Sequence, residues 1–267
     1  MPYGKQGHVM VRTLHWVEQD ASLGVAEDLA YSTTLLRAVQ HGVLTNPVVR
    51  MYRPEPTVSF GQQDVRTDGY AVATRQASQH GFTPTVRRVG GRAAAYHRGS
   101  LIIDHIQPED NAMFGFRERF TYFGDLLARM LRRLGVEAAI GEIPGEYCAG
   151  EYSVHAVRDP RHRIKLAGTA QRVVKGAWLF STSLVVQDGA PVRDVLIDVY
   201  EALGVEFDPT TAGAVEDAAA GVAVEDVIDE LQWQYEQQFL NGGMTGNDVY
   251  QLEPLAWSDL LDRVPSD

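Results

Sequence analysis

The chain contains a single cysteine, Cys148, which lies in a polar segment between Tyr147 and Tyr152. A lone thiol cannot form an internal disulfide, so it is either a small buried apolar side chain or a nucleophile. The thiolate is the reactive form, and a nearby cation favours it. Lys165, further along the chain, is the candidate for that cation. The pair predicts nucleophilic acyl transfer, and a structural cysteine is the alternative.

A glycine pair flanked by arginines forms the second candidate segment. Arg87 and Arg88 precede Gly90 and Gly91, and alanines occupy residues 93–95. Glycines and alanines allow a ligand chain to lie against the backbone, and arginine side chains bind phosphate or carboxylate groups. The spacing matches neither the phosphate-binding loop with its lysine nor the dinucleotide-binding glycine pattern. A glycine turn between two strands is the alternative.

The third candidate segment follows Lys165. Gly168, Thr169 and Ala170 predict a turn whose backbone N–H groups polarise a carbonyl or hold an oxyanion. An ordinary surface lysine in a hairpin is the alternative. His97, near the glycine pair, is more typical of a structural histidine than of a general base. No histidines have metal-ligand spacing and no second cysteine exists, so the sequence predicts no metal site.

The composition limits the function classes. The chain has 267 residues, 45% hydrophobic content and a formal net charge of −11, which is typical of a globular protein and argues against general nucleic-acid binding. Basic residues concentrate at 87–98 and 158–175, which predicts an anionic substrate or an acidic protein surface as partner, with solvated loops as the alternative. No apolar stretch has membrane-spanning length, and the first residues do not resemble an export signal. These features and the single cysteine predict a cytoplasmic protein without membrane or nucleic-acid partners.

Apolar periodicity predicts an α+β fold. Helices are expected at residues 25–39, 69–81, 116–134, 192–203 and 208–239. Strands are expected at residues 48–52, 57–60, 85–88, 100–105, 152–157, 164–167 and 177–186. Because the strands follow one another in local pairs, the sheet is expected to be mixed or antiparallel, with helices flanking it. We expect a catalytic domain over residues 1–205 and a short helical C-terminal extension over residues 206–267.

Taken in order, the three segments resemble the lipoate/octanoate protein ligase and transferase family, which has the biotin–lipoyl ligase fold. The resemblance is greatest to the cysteine-dependent octanoyltransferases and covers residues 25–200. That branch has the patterns Arg-Arg-x-Gly-Gly-x-Ala-x-x-x-x-x-Gly, Tyr-Cys-x-Gly-x-Tyr and Lys-x-Ala-Gly-x-x-Gln-Arg. The matching residues are Arg87, Arg88, Gly90, Gly91, Ala93 and Gly99, then Tyr147, Cys148, Gly150 and Tyr152, then Lys165, Ala167, Gly168, Gln171 and Arg172.

The resemblance implies an acyltransferase with Cys148 and Lys165 as its catalytic residues. Cys148 would carry the acyl group as a thioester, and Lys165 would lower the pKa of Cys148 and orient the acyl carbonyl. The glycine pair and the alanines at 93–95 would line the acyl tunnel. The residues expected to bind substrate are Arg87, Arg88, Gly90, Gly91, Ala93, His97, Gly168, Thr169 and Ala170.

The resemblance also implies partners. The expected ones are lipoyl-domain proteins, namely the glycine cleavage H protein and the E2 subunits of 2-oxoacid dehydrogenases, or acyl carrier protein. No cofactor is expected, because ATP and magnesium ions are required only if the chain is an ATP-dependent lipoate–protein ligase. That ligase and a non-catalytic relative are the alternatives. Three departures from the branch concern the donor and acceptor more than the chemistry: His97 replaces an acidic residue, Arg92 replaces an apolar one, and residues 158–163 lengthen a hairpin.

Overall fold

A mixed eight-stranded sheet and a smaller three-stranded sheet form the frame of the fold within residues 11–87, 91–159, 162–240 and 249–266, the residues that the computed structural model describes. The strands are β1 (Val11–Glu18), β2 (Val48–Tyr52), β3 (Thr57–Phe60), β4 (Thr83–Val86), β5 (Ala94–Tyr96), β6 (Ser100–Pro108), β7 (Ala138–Ile140), β8 (Val154–Asp159), β9 (His162–Val174), β10 (Ala177–Val185) and β11 (Val249–Pro254). The large sheet has the order β11-β1-β2-β6-β10-β9-β8-β7, and the small sheet has the order β4-β3-β5.

Helices cover both faces of the large sheet. They are α1 (Val25–Gln40), α2 (Tyr70–Gln79), α3 (Phe116–Arg133), α4 (Gly189–Leu203), α5 (Val224–Leu240) and α6 (Trp257–Arg263). The apolar sides of α3 and α5 share the largest core cluster with the sheet. The helices α2 and α4 pack with the small sheet in a second cluster, and α1 packs in a third.

Strand β10 shows how the sequence builds these layers. Successive side chains of a strand point to opposite faces of the sheet. Trp178 and Phe180 belong to the cluster that contains α3, whereas Ala177 and Leu179 belong to the cluster that contains α1. Both faces of the strand are therefore buried, which explains its uninterrupted apolar run from Ala177 to Phe180.

The predicted α+β class, with a mixed sheet flanked by helices, is confirmed. Apolar periodicity gives no prediction of β1, β5, β7 or β11. Strand β1 pairs in parallel with β2 and with β11, so both of its partners are remote in sequence and no local pairing signal marks it. Residues 168–170 lie inside β9 and not in the expected turn, because β9 continues to pair with β10 as far as Val174.

The C-terminal part of the chain contains a strand besides its helices. The helix α5 contributes Leu231 and Tyr235 to the largest core cluster, and β11 contributes Tyr250. The domain boundary at residue 205 stays a prediction. Within the described ranges, no helix combines the length and the apolar character that crossing a membrane requires.

Arg50 on β2 lies fully buried between two buried carboxylates. Its Nη2 atom lies 3.1 Å from Asp28 Oδ1, and its Nη1 atom lies 3.4 Å from Asp104 Oδ2. The Asp104 carboxylate also accepts hydrogen bonds from the hydroxyls of Ser32 and Ser181, each at 2.6 Å. This network joins α1 to β2, β6 and β10. Buried charges are costly unless they are paired, so both carboxylates depend on Arg50.

We expect the substitution Arg50→Met to destabilise the fold strongly. It leaves two carboxylates buried without a cation, and removing one partner of a buried ion pair costs about 3–5 kcal/mol. The matched control is Arg98→Met, since Arg98 pairs with Glu55 at the surface, where an ion pair contributes less than about 1 kcal/mol. Urea unfolding measures both free energies. If both variants lost an equally small amount of unfolding free energy, the role given to Arg50 would be contradicted.

Candidate active site

Cys148 lies in the loop between β7 and β8 and has a backbone conformation that is uncommon for a residue with a side chain. Its φ angle is 43°, in the left-handed region. Such a conformation persists only where the surroundings fix it. The Cys148 N–H donates to Tyr200 Oη at 2.6 Å, and the Tyr200 hydroxyl donates to the carbonyl of Ala93 at 2.9 Å. Tyr200, on α4, therefore ties the Cys148 loop to the alanines that follow the glycine pair.

Lys165 holds the same loop from the large sheet. Its Nζ atom donates to the carbonyl oxygens of Tyr147 and Cys148, each at 2.9 Å. The same atom lies 2.9 Å from Glu146 Oε2. Two successive carbonyl groups are thereby turned toward one ammonium group, which accounts for the unusual backbone of the loop.

A β-bulge aims Lys165 at this loop. Val154 on β8 pairs with Ala167, whereas the next residue, His155, pairs with Lys165, so Leu166 is an extra residue in β9. Bulges bend a strand and redirect side chains. Lys165 is only 1% exposed, and it is thus not the surface lysine of an ordinary hairpin.

Arg87 brings a second cation to the thiol. It follows β4, and its backbone N–H donates to the carbonyl of Phe60 at 3.0 Å. Its Nη2 atom lies 3.3 Å from Cys148 Sγ and also donates to the carbonyl of Arg92. A charged donor at this distance stabilises the thiolate over the thiol.

The surroundings of Cys148 lower the pKa of its thiol. Burial raises this pKa, but Arg87, Lys165 and the backbone N–H groups of Arg92 and Gly91 together lower it by more than burial raises it. The ordinary pKa of a cysteine is about 8.5, so a lower value increases the thiolate fraction near neutral pH. Geometry and charge therefore favour the reactive thiolate form of Cys148.

A cavity of about 610 Å³, a size typical of small-molecule sites, lies beside Cys148. Its floor is a row of cross-strand neighbours: Gly168 on β9, Ser183 on β10, Ile102 on β6 and Tyr52 on β2. Neighbouring strands lie about 4.8 Å apart, so this row is roughly 14 Å long. The cavity thus crosses four strands of the large sheet.

The two ends of the cavity differ in chemistry. At the Gly168 end, a Cβ atom on the glycine would lie 3.6 Å from Lys165 Cε, so this end adjoins the polar groups around Cys148. The far end is formed by a small apolar cluster, whose members all line the cavity: Leu29, Tyr52, Tyr96 and Ile102. The arrangement suits a ligand with a reactive polar head and an extended apolar tail.

Most of the expected site residues meet at this cavity. Those that line it are Cys148, Lys165, Arg87, Gly91, Gly168, Thr169 and Ala170. Arg88 and Gly90 lie outside the described residues. Ala93 is buried in the cluster of the small sheet and reaches the site through its carbonyl, whereas the next residue, Ala94, lines the cavity.

His97 is not among the residues that line the cavity. Its Nε2 atom lies 2.8 Å from the carbonyl oxygen of Asp188, and its Nδ1 atom accepts the N–H of Gly99 at 2.8 Å. Both ring nitrogens are thus engaged by the backbone around it. Across the described residues, no group of three or more His, Cys, Asp or Glu side chains is arranged to hold a metal ion.

Sequence reasoning misses Glu146 and Tyr200. Glu146 is 3% exposed, pairs with Lys165 and accepts the hydroxyl of Ser153 at 2.7 Å. Its position two residues before Cys148 is a signal that could have been followed. No pattern connects Tyr200 with Cys148, because the two residues are 52 positions apart.

The sequence matches the lipoyl protein ligase A/B catalytic domain family over residues 25–234. The chain belongs to this family. The matched range includes Arg87, Cys148, Lys165 and the floor of the cavity, so the site described above lies within the family domain.

Two curated relatives are named octanoyl-[GcvH]:protein N-octanoyltransferase. The protein from Geobacillus kaustophilus is 29% identical over 208 residues, which cover 76% of this chain and 71% of the relative. The protein from Anoxybacillus flavithermus is 26% identical over 181 residues, which cover 67% of this chain and 63% of the relative.

Solved structures of lipoyl protein ligases share the fold. A lipoate-protein ligase A bound with ATP has a TM-score of 0.67 at 19% identity, covering 95% of this chain and 93% of that one. A bipartite lipoate protein ligase of Thermoplasma acidophilum, from a study that includes its E2 lipoyl domain, has a TM-score of 0.65 at 19% identity, covering 95% and 91%. These likenesses confirm the expected fold.

We expect Gly91→Leu to slow the alkylation of Cys148 by iodoacetamide. A Cβ atom at position 91 would lie 3.6 Å from Cys148 Sγ, so a longer side chain crowds the sulfur. If this crowding raises the barrier to alkylation by about 1–3 kcal/mol, a typical cost of overpacking, the rate falls roughly 5- to 150-fold. Gly91→Ala is the matched control, since its Cβ meets the sulfur at an ordinary contact distance. Equal rates in the two variants would show that position 91 does not face the thiol.

Proposed function

We propose that this chain is an acyltransferase that moves an octanoyl group to the lysine of a lipoyl domain through a thioester on Cys148. The observation that carries the proposal is the contact between Cys148 Sγ and the Arg87 guanidinium, 3.3 Å apart, at the wall of an elongated cavity. The names of the curated relatives support the same activity.

The cavity accommodates an eight-carbon chain. Carbon–carbon bonds of about 1.5 Å limit an extended octanoyl group to roughly 10 Å, which is shorter than the cavity floor. Each buried CH₂ group contributes about 0.8 kcal/mol, so Ile102 and the rings of Tyr52 and Tyr96 suffice to retain the tail. The acyl carbonyl then lies at Cys148, and the methyl end points toward Tyr52.

The chemistry conserves the type of bond. The Cys148 thiolate attacks the acyl carbonyl carbon, a carbon–sulfur bond forms, and the carbon–nitrogen bond to the donor lysine breaks. The leaving amine takes up a proton equivalent to the one that the thiol released. The acceptor amine then attacks the thioester, loses a proton and displaces the thiolate. An amide is consumed and an amide is formed, so the proposal requires neither ATP nor a cofactor.

The residues after Lys165 are suited to polarise the acyl carbonyl. Gly168, Thr169 and Ala170 line the cavity, and β8 pairs with β9 only as far as Ala167. One edge of this stretch therefore has no neighbour from β8, and its backbone N–H groups can stabilise an oxyanion. Lys165 fixes the loop that carries the nucleophile and adds positive charge near it.

The proposed partners follow from the relatives. Their name specifies octanoylated GcvH, the glycine cleavage H protein, as donor, and one ligase with the same fold comes from a system with an E2 lipoyl domain. We therefore propose the H protein as donor and E2 lipoyl domains as acceptors. The relatives' names give no support to acyl carrier protein as donor. A cytoplasmic location stays a prediction.

We expect Cys148→Ser to lower the transfer of octanoyl groups from octanoylated H protein to an unmodified lipoyl domain by at least about a thousandfold, as for the loss of an essential nucleophile. A serine hydroxyl without a dedicated base is a far weaker nucleophile than a thiolate. Mass spectrometry of the lipoyl domain measures the transfer, with and without ATP.

The same experiment separates the alternatives. Wild-type transfer without ATP, together with its loss in Cys148→Ser, supports the transferase. A variant that remains active, with modification that requires ATP, identifies an ATP-dependent ligase and contradicts the proposal. Absence of any modification by the wild-type protein identifies a non-catalytic relative.

A further inference from the structure

The ammonium group of Lys165 is directed at the backbone of the Cys148 loop and at Glu146. An ammonium group has three N–H donors. The Nζ atom of Lys165 lies 2.9 Å from each of three oxygens, namely the carbonyls of Tyr147 and Cys148 and the carboxylate of Glu146. Two of these contacts are hydrogen bonds to the loop backbone and the third is an ion pair, so Lys165 acts chiefly on the backbone that carries the nucleophile.

The charge of Lys165 is also compensated. The side chains of Lys165 and Glu146 are 2% and 0% exposed, so they form a buried ion pair. Glu146 is held in turn by the hydroxyl of Ser153 at 2.7 Å and by the N–H of Ile143 at 3.0 Å. A neutral pair produces a weaker field at a neighbouring sulfur than a lone cation does.

Arg87 differs from Lys165 in both respects. Its Nη2 atom contacts Cys148 Sγ directly, at 3.3 Å. Among the residues that the structure describes, no carboxylate forms an ion pair with its guanidinium, and its buried Nε atom has no hydrogen-bond partner there. Both backbone polar groups of Arg87 are hydrogen-bonded. Its N–H donates to the carbonyl of Phe60, and its carbonyl accepts from Gln62 Nε2 at 3.2 Å.

We propose that Arg87 is a catalytic residue, whose guanidinium contacts the Cys148 sulfur directly and holds it as a thiolate, whereas Lys165, whose charge also favours the thiolate, orients the loop together with Glu146. From the sequence, Arg87 is expected to bind an anionic group of the substrate. The geometry instead points to the sulfur of the enzyme itself. The thiolate part of this proposal stands alone, and only the acyl steps rest on the proposed function.

Arg87 serves both halves of the acyl transfer. It stabilises the negative charge on sulfur before the thiolate attacks the acyl carbon. When the acceptor amine later displaces the sulfur, the negative charge returns to the same place, and a stabilised thiolate leaves faster. The carbon–sulfur bond forms in the first step and breaks in the second, so no further reactant is needed.

Other groups near the sulfur do not replace Arg87. The guanidinium of Arg92 is directed to the buried carboxylate of Asp64, at 3.2 Å, and only its backbone N–H acts on the thiol. Tyr200 accepts the backbone N–H of Cys148, and burial raises the pKa of this phenol well above its usual value. After burial, which raises the pKa of the Cys148 thiol, Arg87 has the largest influence on that pKa and lowers it, ahead of Lys165.

The test is the pH dependence of alkylation of Cys148 by iodoacetamide, which reports on one thiol because the chain has no other cysteine. We expect Arg87→Gln to raise the midpoint by about one to three pH units, the range by which a neighbouring opposite charge shifts a pKa. Arg87→Lys restores the charge without the planar fork, so its midpoint falls between those of the wild type and Arg87→Gln. Arg98→Gln, which alters a surface arginine paired with Glu55, is the matched control and leaves the midpoint unchanged.

A second variant compares the two cations. Lys165→Met alone leaves Glu146 buried without a cation, so we combine it with Glu146→Gln and verify folding by circular dichroism. The proposal predicts a smaller shift of the midpoint in this double variant than in Arg87→Gln. An equal or larger shift would overturn it. An unchanged midpoint in Arg87→Gln, with a raised KM for the octanoylated donor, would assign Arg87 to substrate binding instead.

The alkylation measurement is independent of the proposed function, because iodoacetamide reacts with the thiolate whatever the natural substrate is. If the midpoints behave as expected but no octanoyl group is transferred, the proposed function fails and the role of Arg87 stands. If transfer occurs but the alkylation midpoint does not depend on Arg87, the proposed function stands and the role of Arg87 fails.

Discussion

The site depends on the contact between one buried ammonium group and two successive carbonyl groups. Lys165 donates hydrogen bonds to the carbonyls of Tyr147 and Cys148 at equal distances, and Cys148 adopts a left-handed backbone at that point. This backbone directs the sulfur toward Arg87. Because the ammonium is paired with Glu146, it can be buried without a large penalty, and the loop keeps one conformation.

The rest of the fold supplies the two sides of the cavity. The cross-strand row from Gly168 to Tyr52 requires the register of β9, β10, β6 and β2, so a slip by one residue would move its side chains to the other face. The helix α1 forms part of the opposite wall. The buried network of Arg50 and Asp104 fastens this helix to the sheet through Ser32. The buried charges of the core therefore help to hold one wall of the cavity in place.

Much of this site can be predicted from the sequence, although the hydrogen bonds and strand pairings that connect its remote segments cannot. The α+β class and the α3 helix follow from apolar periodicity, which is a local signal. The common location of Arg87, Gly91, Cys148 and Lys165 is expected from the family resemblance of the three ordered motifs, and all four residues line the cavity. The contact of Tyr200 with Cys148 and the pairing of β1 with β11 connect remote segments, and no local pattern records them. No sequence pattern marks the bulge at Leu166 either. The bulge redirects the Lys165 side chain, but the residues that form it are ordinary for a strand.

In the proposed mechanism, the acyl group passes through the sulfur of Cys148. Rapid-quench mass spectrometry of the wild-type protein, mixed with isotope-labelled octanoyl donor and excess acceptor lipoyl domain without ATP, follows the label with time. The account predicts that label appears on the peptide containing Cys148, reaches a maximum and declines while it accumulates on the acceptor lysine. Label that reaches the acceptor without a kinetically competent adduct on Cys148, or only after ATP is added, would contradict the account.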